Sequence, residues 1–327
     1  MRLGKCRNSI LTVLLALLLL LTSCAHVEQE TPLISEEPLL AHPSRSITFT
    51  DALGYPVTVT SWDRVAALYG SFAETWVLAG GTLVGATSDA IEERGLELGE
   101  GVSIVGSVKE PNLEAIVAAK PDFVILSADT AGQVAIHDSL TRMGIPHAYY
   151  RVDRYEDYLA MLEQFCDMTG QPARYEQYGQ SVDTEIQTIL EQVQGQRGPE
   201  VLLIRAYSSG AKAKGTDNLA GVMLEDLGAD NLVTRYSGML EELSIEEIIL
   251  ADPEYIFVTI MGSGTEKAMD YMKEHFEKNP AWAGLTAVKT GQYIILPQEL
   301  FHYKPNARWA QSYRYLAGIL YPGVLDS

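Results

Sequence analysis

The sequence predicts an α/β protein of two lobes, each on a mainly parallel central sheet, joined by one long backbone helix with a ligand cleft between the lobes. Three observations carry that expectation. Short apolar runs alternate with helical patterns in two separate series. Between the series, residues 173–194 contain no Pro and only Gly179. One helix–proline–strand module occurs in each half.

Residues 47–50 and 55–60 flank Asp51-Ala52-Leu53-Gly54 and read as a hairpin. Strands are then expected at 65–68, 83–86, 123–126 and 147–150, with helices at 72–79, 113–119 and 133–143 between them. Buried strands alternating with helices are the pattern of βαβ units on a parallel sheet. A helix at 155–169 is stopped by Gly170 and Pro172. The following stretch, 173–194, gives a helix of about 30 Å at 1.5 Å per residue. Its composition is that of a stiff strut; a flexible hinge would be rich in Gly and Ser. The second series has strands at 201–205, 255–260 and 293–296, and helices at 219–227, 245–250, 266–278 and 307–320. The expected division is a first lobe over 46–170, a connecting helix over 171–197 and a second lobe over 198–327.

The N-terminus has its own pattern. Arg2, Lys5 and Arg7 precede an apolar run from Ile10 to Leu21, which ends at Leu21-Thr22-Ser23-Cys24. A run of about 12 residues is too short for a membrane span, which needs about 20; its flanks are those of a secretory signal. The ending resembles a bacterial lipobox. That resemblance implies cleavage of residues 1–23, lipidation of Cys24 and attachment to a membrane face outside the cytoplasm. Residues 24–45, acidic and proline-bearing, read as a disordered tether.

Cys166 is then the one thiol left in the folded part, so no disulfide framework is expected. The fold must be held by burial, for which about 280 residues suffice. Removing residues 1–23 takes away three cations and no acids, so a formal charge of −19 becomes −22. That balance excludes a nucleic-acid partner, whose phosphates require a basic surface. Membrane attachment would rest on the lipid alone.

The repeated module reads Pro111-Asn112-Leu113-Glu114-Ala115-Ile116 up to Pro121-Asp122-Phe123 in the first half. In the second it reads Leu243-Ser244-Ile245-Glu246-Glu247-Ile248 up to Pro253-Glu254-Tyr255. Both the glutamates and the prolines are 132 positions apart. Asn112 and Ser244 are expected helix N-caps, with Glu114 and Glu246 in the first turn, where negative charge suits the helix dipole. One such glutamate is no more than a helix-start preference. Two on matching lobes can face a two-fold partner.

These modules resemble the Leu-x-x-Ile-x-x-x-x-Pro-Asp-x-Ile pattern of the periplasmic-binding proteins for iron-siderophore, haem and cobalamin uptake, the class with a helical backbone. The resemblance runs from Ile47 onward through Gly80-Gly81, Met143-Gly144-Ile145-Pro146, Leu224-Glu225-Asp226-Leu227-Gly228 and Asn279-Pro280-Ala281-Trp282. It implies an ABC substrate-binding protein with no intrinsic cofactor. The ligand would be a metal chelate (ferric siderophore, haem or corrinoid), and the partners a permease dimer and its ATPase. It also implies that Glu114 and Glu246 dock onto arginines of the two permease subunits, a pairing that charge-assisted, bidentate bonds would serve.

A cleft between two such lobes is lined by loops at the carboxyl ends of the strands. The expected ligand contacts are Tyr69, Ser71, Arg205, Tyr207, Met261, His302, Tyr303 and Lys304, with Lys212 and Arg308 as further cations. Aromatic walls and a few convergent cations suit an acidic chelate. His137, His147, His275 and His302 lack metal-type spacing, which disfavours a bare zinc or manganese ion without removing that alternative. No Gly-x-Ser-x-Gly elbow or Walker loop is present. The enzyme alternative on a related scaffold is metal insertion into a tetrapyrrole.

Overall fold

The computed structural model describes residues 45–236, 243–260, 262 and 264–325. The signal segment, Cys24, the tether through residue 44 and Met261 lie outside the described residues.

β1 (Ile47–Thr50) and β2 (Pro56–Val59) form the expected antiparallel hairpin. Asp51 shapes its turn: Oδ1 accepts from the amides of Leu53 and Tyr55, both at 2.9 Å, and Gly54 supplies a φ of 87°. Its other oxygen accepts from the amide of Tyr149 at 3.1 Å. One carboxylate therefore makes the turn and ties the hairpin to the first sheet.

That sheet comprises β3 (Val65–Ala67), β4 (Leu83–Ala86), β5 (Ser103–Ile104), β6 (Phe123–Ser127) and β7 (His147–Tyr150). It is parallel throughout, in the order β5-β4-β3-β6-β7. The second comprises β8 (Glu200–Tyr207), β9 (Gly210–Ala213), β10 (Asp230–Asn231), β11 (Tyr255–Ile260) and β12 (Tyr293–Ile295). Its order is β10-β8-β11-β12, parallel, with β9 antiparallel on β8. β6 is buried along its whole length and β11 along nearly all of it. Central parallel strands are covered on both faces, which is why they read as continuous apolar runs. In each sheet the strand order reverses at the centre, between β3 and β6 and between β8 and β11. A crevice opens at the carboxyl ends of those pairs.

Several local expectations change. The helix expected at 133–143 is two, Ala131–Val134 and His137–Arg142, separated by a turn at Ala135 and Ile136. The helix expected at 266–278 is Thr265–Met272, continued by a π turn, Lys273–Glu277. Two-residue strands such as β5 and β10 are too short to show alternation, and Gly-Ala-Lys-Ala in β9 has no β-branched residue.

The strut runs as Pro172–Tyr175, a π turn at Glu176–Gln180, and Ser181–Val193. A π turn weakens the regular ladder, and two tyrosines from the helix Tyr155–Thr169 compensate. Tyr155 Oη donates to the Gly179 carbonyl at 2.7 Å and Tyr158 Oη to that of Tyr178 at 2.9 Å. Gly179 permits the approach, because a Cβ there would stand 3.0 Å from the Tyr175 ring and 3.1 Å from Leu159. Val182, Ile186, Ile189 and Val193 make a buried stripe at helical spacing. The last helix, Trp309–Leu320, belongs to the same core, and Arg314 pairs with Glu185 at 2.7 Å. A single apolar cluster runs from Val65 and Phe123 through Phe165 and Ile189 to Val201 and Phe257. The lobes share a core, so bending the strut would expose it.

Candidate functional site

A cavity of about 320 Å³ lies where the second lobe faces the first, lined by Asp153, Arg205, residues 216–219, Phe301, His302 and Lys304. Arg205 enters it from the end of β8. Among the described residues its guanidinium has no hydrogen-bond or ion-pair partner, and burial lowers its pKa. Lys212 stands opposite it on β9, so two cations share one face of the sheet. Arg308, half-buried at the start of the last helix, has no ion pair among the described residues.

Lys304 is differently employed. Its ammonium donates to the Val152 carbonyl and lies 3.7 Å from the Asp153 carboxylate, both on the first lobe. Burial lowers its pKa. His302 holds a turn: its Nε2 accepts from the amide of Gly262 at 3.0 Å, which leaves the ring proton on Nδ1. Gln298 clasps the same turn by donating to the carbonyls of Ile260 and Gly262 at 3.2 and 3.0 Å. Burial, then the charges of Arg205 and Lys304, push the His302 pKa down to about 4. Its ring lies 4.9 Å from that of Tyr303.

The opposing wall belongs to the first lobe. Tyr69 ends the strand region and precedes the helix Gly70–Leu78; burial and then Asp89 raise its pKa to about 12. Ser71 is buried, and its carbonyl accepts from Thr75 Oγ1 at 2.9 Å. Asp89 accepts from the amide of Gly70 at 2.6 Å. Arg94 is buried against Glu74, with Nε 2.7 Å from the carboxylate. Tyr207, at the end of β8, lies half-buried.

The fold therefore gathers Tyr69, Arg205, His302, Tyr303 and Lys304 around one crevice. Six residues lining the cavity were not among the expected contacts: Asp153, Thr216, Asp217, Asn218, Leu219 and Phe301. Asp217 and Asn218 follow the unexpected β9, so strand ends did not point to them. The available signal was capping: Asn218 accepts from the Ala220 amide at 2.9 Å, ahead of the apolar helix Leu219–Asp226. Elsewhere, beside the hairpin, His147 Nε2 and His137 Nδ1 lie 2.9 Å apart. Among the described residues no group of three or more His, Cys, Asp or Glu could hold a bare metal ion.

Both repeated modules form as expected. Asn112 accepts from the Ala115 amide and Ser244 from the Glu247 amide, at 3.0 and 3.3 Å. Glu114 and Glu246 sit in the first turns of Leu113–Ala118 and Ile245–Ala251, and both are exposed. Each module closes on a left-handed residue before its proline, Lys120 at φ 49° and Asp252 at φ 41°.

A family model described as periplasmic binding protein matches residues 65–300. The chain belongs to the periplasmic binding protein family. Among relatives, the ferric-anguibactin-binding protein FatB of Vibrio anguillarum is 22% identical over 209 residues, 62% of this chain and 63% of that protein. This periplasmic binding protein thus aligns with less than two thirds of FatB. The putative ABC transporter substrate-binding lipoprotein YhfQ of Bacillus subtilis is 24% identical over 70% of this chain and 74% of its own. Two solved structures share the fold. The siderophore-binding protein BauB, bound to ferric iron and two acinetobactin molecules, has a TM-score of 0.66 at 17% identity, covering 84% of this chain and 97% of that one. A periplasmic heme-binding protein from Pseudomonas aeruginosa has 0.64 at 22% identity, covering 80% and 94%.

Proposed function

We propose that this periplasmic binding protein captures an iron-siderophore, haem or cobalamin-type chelate outside the cytoplasm and delivers it to an ABC importer. The observation that carries the reading is the pair of modules 132 positions apart, each offering an exposed glutamate at a capped helix start on a lobe that shares one core with its twin. Two carboxylates held by a stiff body fit two arginines of a permease dimer, with its ATPase behind. The names of the relatives favour a ferric chelate: one binds ferric anguibactin and another, YfmC of Bacillus subtilis, ferric citrate.

In this reading Tyr69, Ser71, Arg205, Tyr207, Met261, His302, Tyr303 and Lys304 surround the ligand, Arg205 being the cation with no protein partner among the described residues. Residues 1–23 are the signal, lipidated Cys24 anchors the chain, and residues 24–45 are the tether. The lobes divide at 46–170 and 198–327 about the strut. The protein acts as a carrier and brings no catalytic chemistry to its cargo.

The test is a double variant, Glu114→Lys with Glu246→Lys, compared with the parent in chelate binding and in uptake by cells that depend on this protein. Chelate affinity should stay within about twofold while uptake is lost, because exposed charges outside the expected ligand contacts leave the core untouched. Persistent uptake overturns the docking assignment.

A further inference from the structure

The first-lobe wall blocks an anion site that its topology would otherwise create. A helix starting at the reversal of a parallel sheet offers free amides and a positive dipole end to the crevice, and anionic ligand groups ordinarily settle there. The helix Gly70–Leu78 starts at that place. Its first amide is already taken by Asp89, whose Oδ2 lies 2.6 Å away. A Cβ on residue 70 would stand 2.7 Å from the same oxygen, so the pairing needs glycine there. Asp89 is 6% exposed, and its Oδ1 has no hydrogen-bond partner among the described residues.

The charges around it do not balance. Glu93 stands in the field of Asp89, and the nearby cation, Arg94, is committed to Glu74. Burial, then Asp89, push the Glu93 pKa up to about 7. Tyr69 and Tyr303, from the two sides of the crevice, both feel Asp89 and Glu93, and Tyr69 also lies in the field of Arg205. On the second-lobe side cations predominate, the cavity-lining Asp217 being paired with Lys214. Arg205 is without a partner among the described residues, and Lys212 lies opposite it in register. Lys304 is occupied by Val152 and Asp153.

We propose that the crevice is polarised, and selects chelates that carry their acidic group at one end, held by Arg205, and place a neutral or cationic portion against Tyr69, Asp89 and Glu93. This rests on the reading of the crevice as a chelate site. A chelate negative on every side would press anionic oxygens against two carboxylates whose neighbouring cation, Arg94, is paired with Glu74. In a half-buried wall, salt screens such repulsion poorly.

Two ferric probes test it by calorimetric titration of the protein at pH 8. One is a linear tris-hydroxamate chelate with an ammonium at one end and a carboxylate at the other. The other is a tris-catecholate chelate with three negative charges around the metal. The hydroxamate should bind at least about tenfold more tightly. Arg205→Gln should weaken it by about tenfold, and Glu93→Gln should tighten the catecholate while melting shows both variants folded. Equal or tighter binding of the catecholate by the parent protein overturns the polarity and leaves the chelate reading standing. Binding of neither probe overturns the polarity and leaves haem or a corrinoid as the chelate.

Discussion

Asn306, from the segment after β12, donates through Nδ2 to the Ser71 carbonyl at 2.8 Å and to Glu74 Oε2 at 2.7 Å, joining the lobes beside the crevice. It is fully buried and left-handed, at φ 54°. Asparagine tolerates that conformation better than most residues. Asn306→Ala should therefore lose about 2–4 kcal/mol, from two unmade bonds and a strained methyl. Asn306→Gly, which relieves the strain alone, should recover about 1 kcal/mol of it. Urea denaturation of the two variants measures the difference.

Asp51 satisfies three backbone amides, those of Leu53, Tyr55 and Tyr149. Asp51→Ala leaves a turn and a sheet edge short of acceptors and should cost about 2–4 kcal/mol. Hydrogen exchange should quicken first in β1 and β2. Protection unchanged in both strands would show that the hairpin does not depend on this carboxylate.

Asn112 and Ser244 cap the two repeated helices. Asn112→Ala and Ser244→Ala should each cost about 1 kcal/mol, and together about the sum, since the modules lie on different lobes. Thermal melts of the single and double variants check both points.

His302 and Glu93 pull stability in opposite directions with pH. An unfolded histidine titrates near 6.5, but His302 is held at about 4 by burial and neighbouring cations. Between those values the unfolded chain binds the extra proton, so this contribution is lost as pH falls through the window. An unfolded glutamate titrates near 4.3 and Glu93 at about 7. There the native state holds the extra proton, so stability falls as pH rises from about 4.3 to about 7. In the parent the two slopes offset each other. Melting temperature from pH 4 to 7 should rise more steeply with pH in Glu93→Gln than in the parent. In His302→Asn the slope should shift the other way.

Sequence by itself determined the elements whose physics is local or strictly periodic. The central strands showed as continuous apolar runs because both their faces are covered, and the hairpin showed because Asp51 and Gly54 dictate a turn. The capped modules showed because an N-cap, a first-turn acid and a proline stop occupy neighbouring positions. Tertiary structure alone decided the rest. The π turn in the strut depends on two tyrosine hydroxyls from another helix. His302 holds a turn because Gly262 arrives beside it from a different strand end. Lys304 is spent on Val152, and Asp89 fills a helix start nineteen residues earlier in the chain. Each of these depends on which groups meet across long separations, and a buried polar group's role is set by the partner that satisfies it.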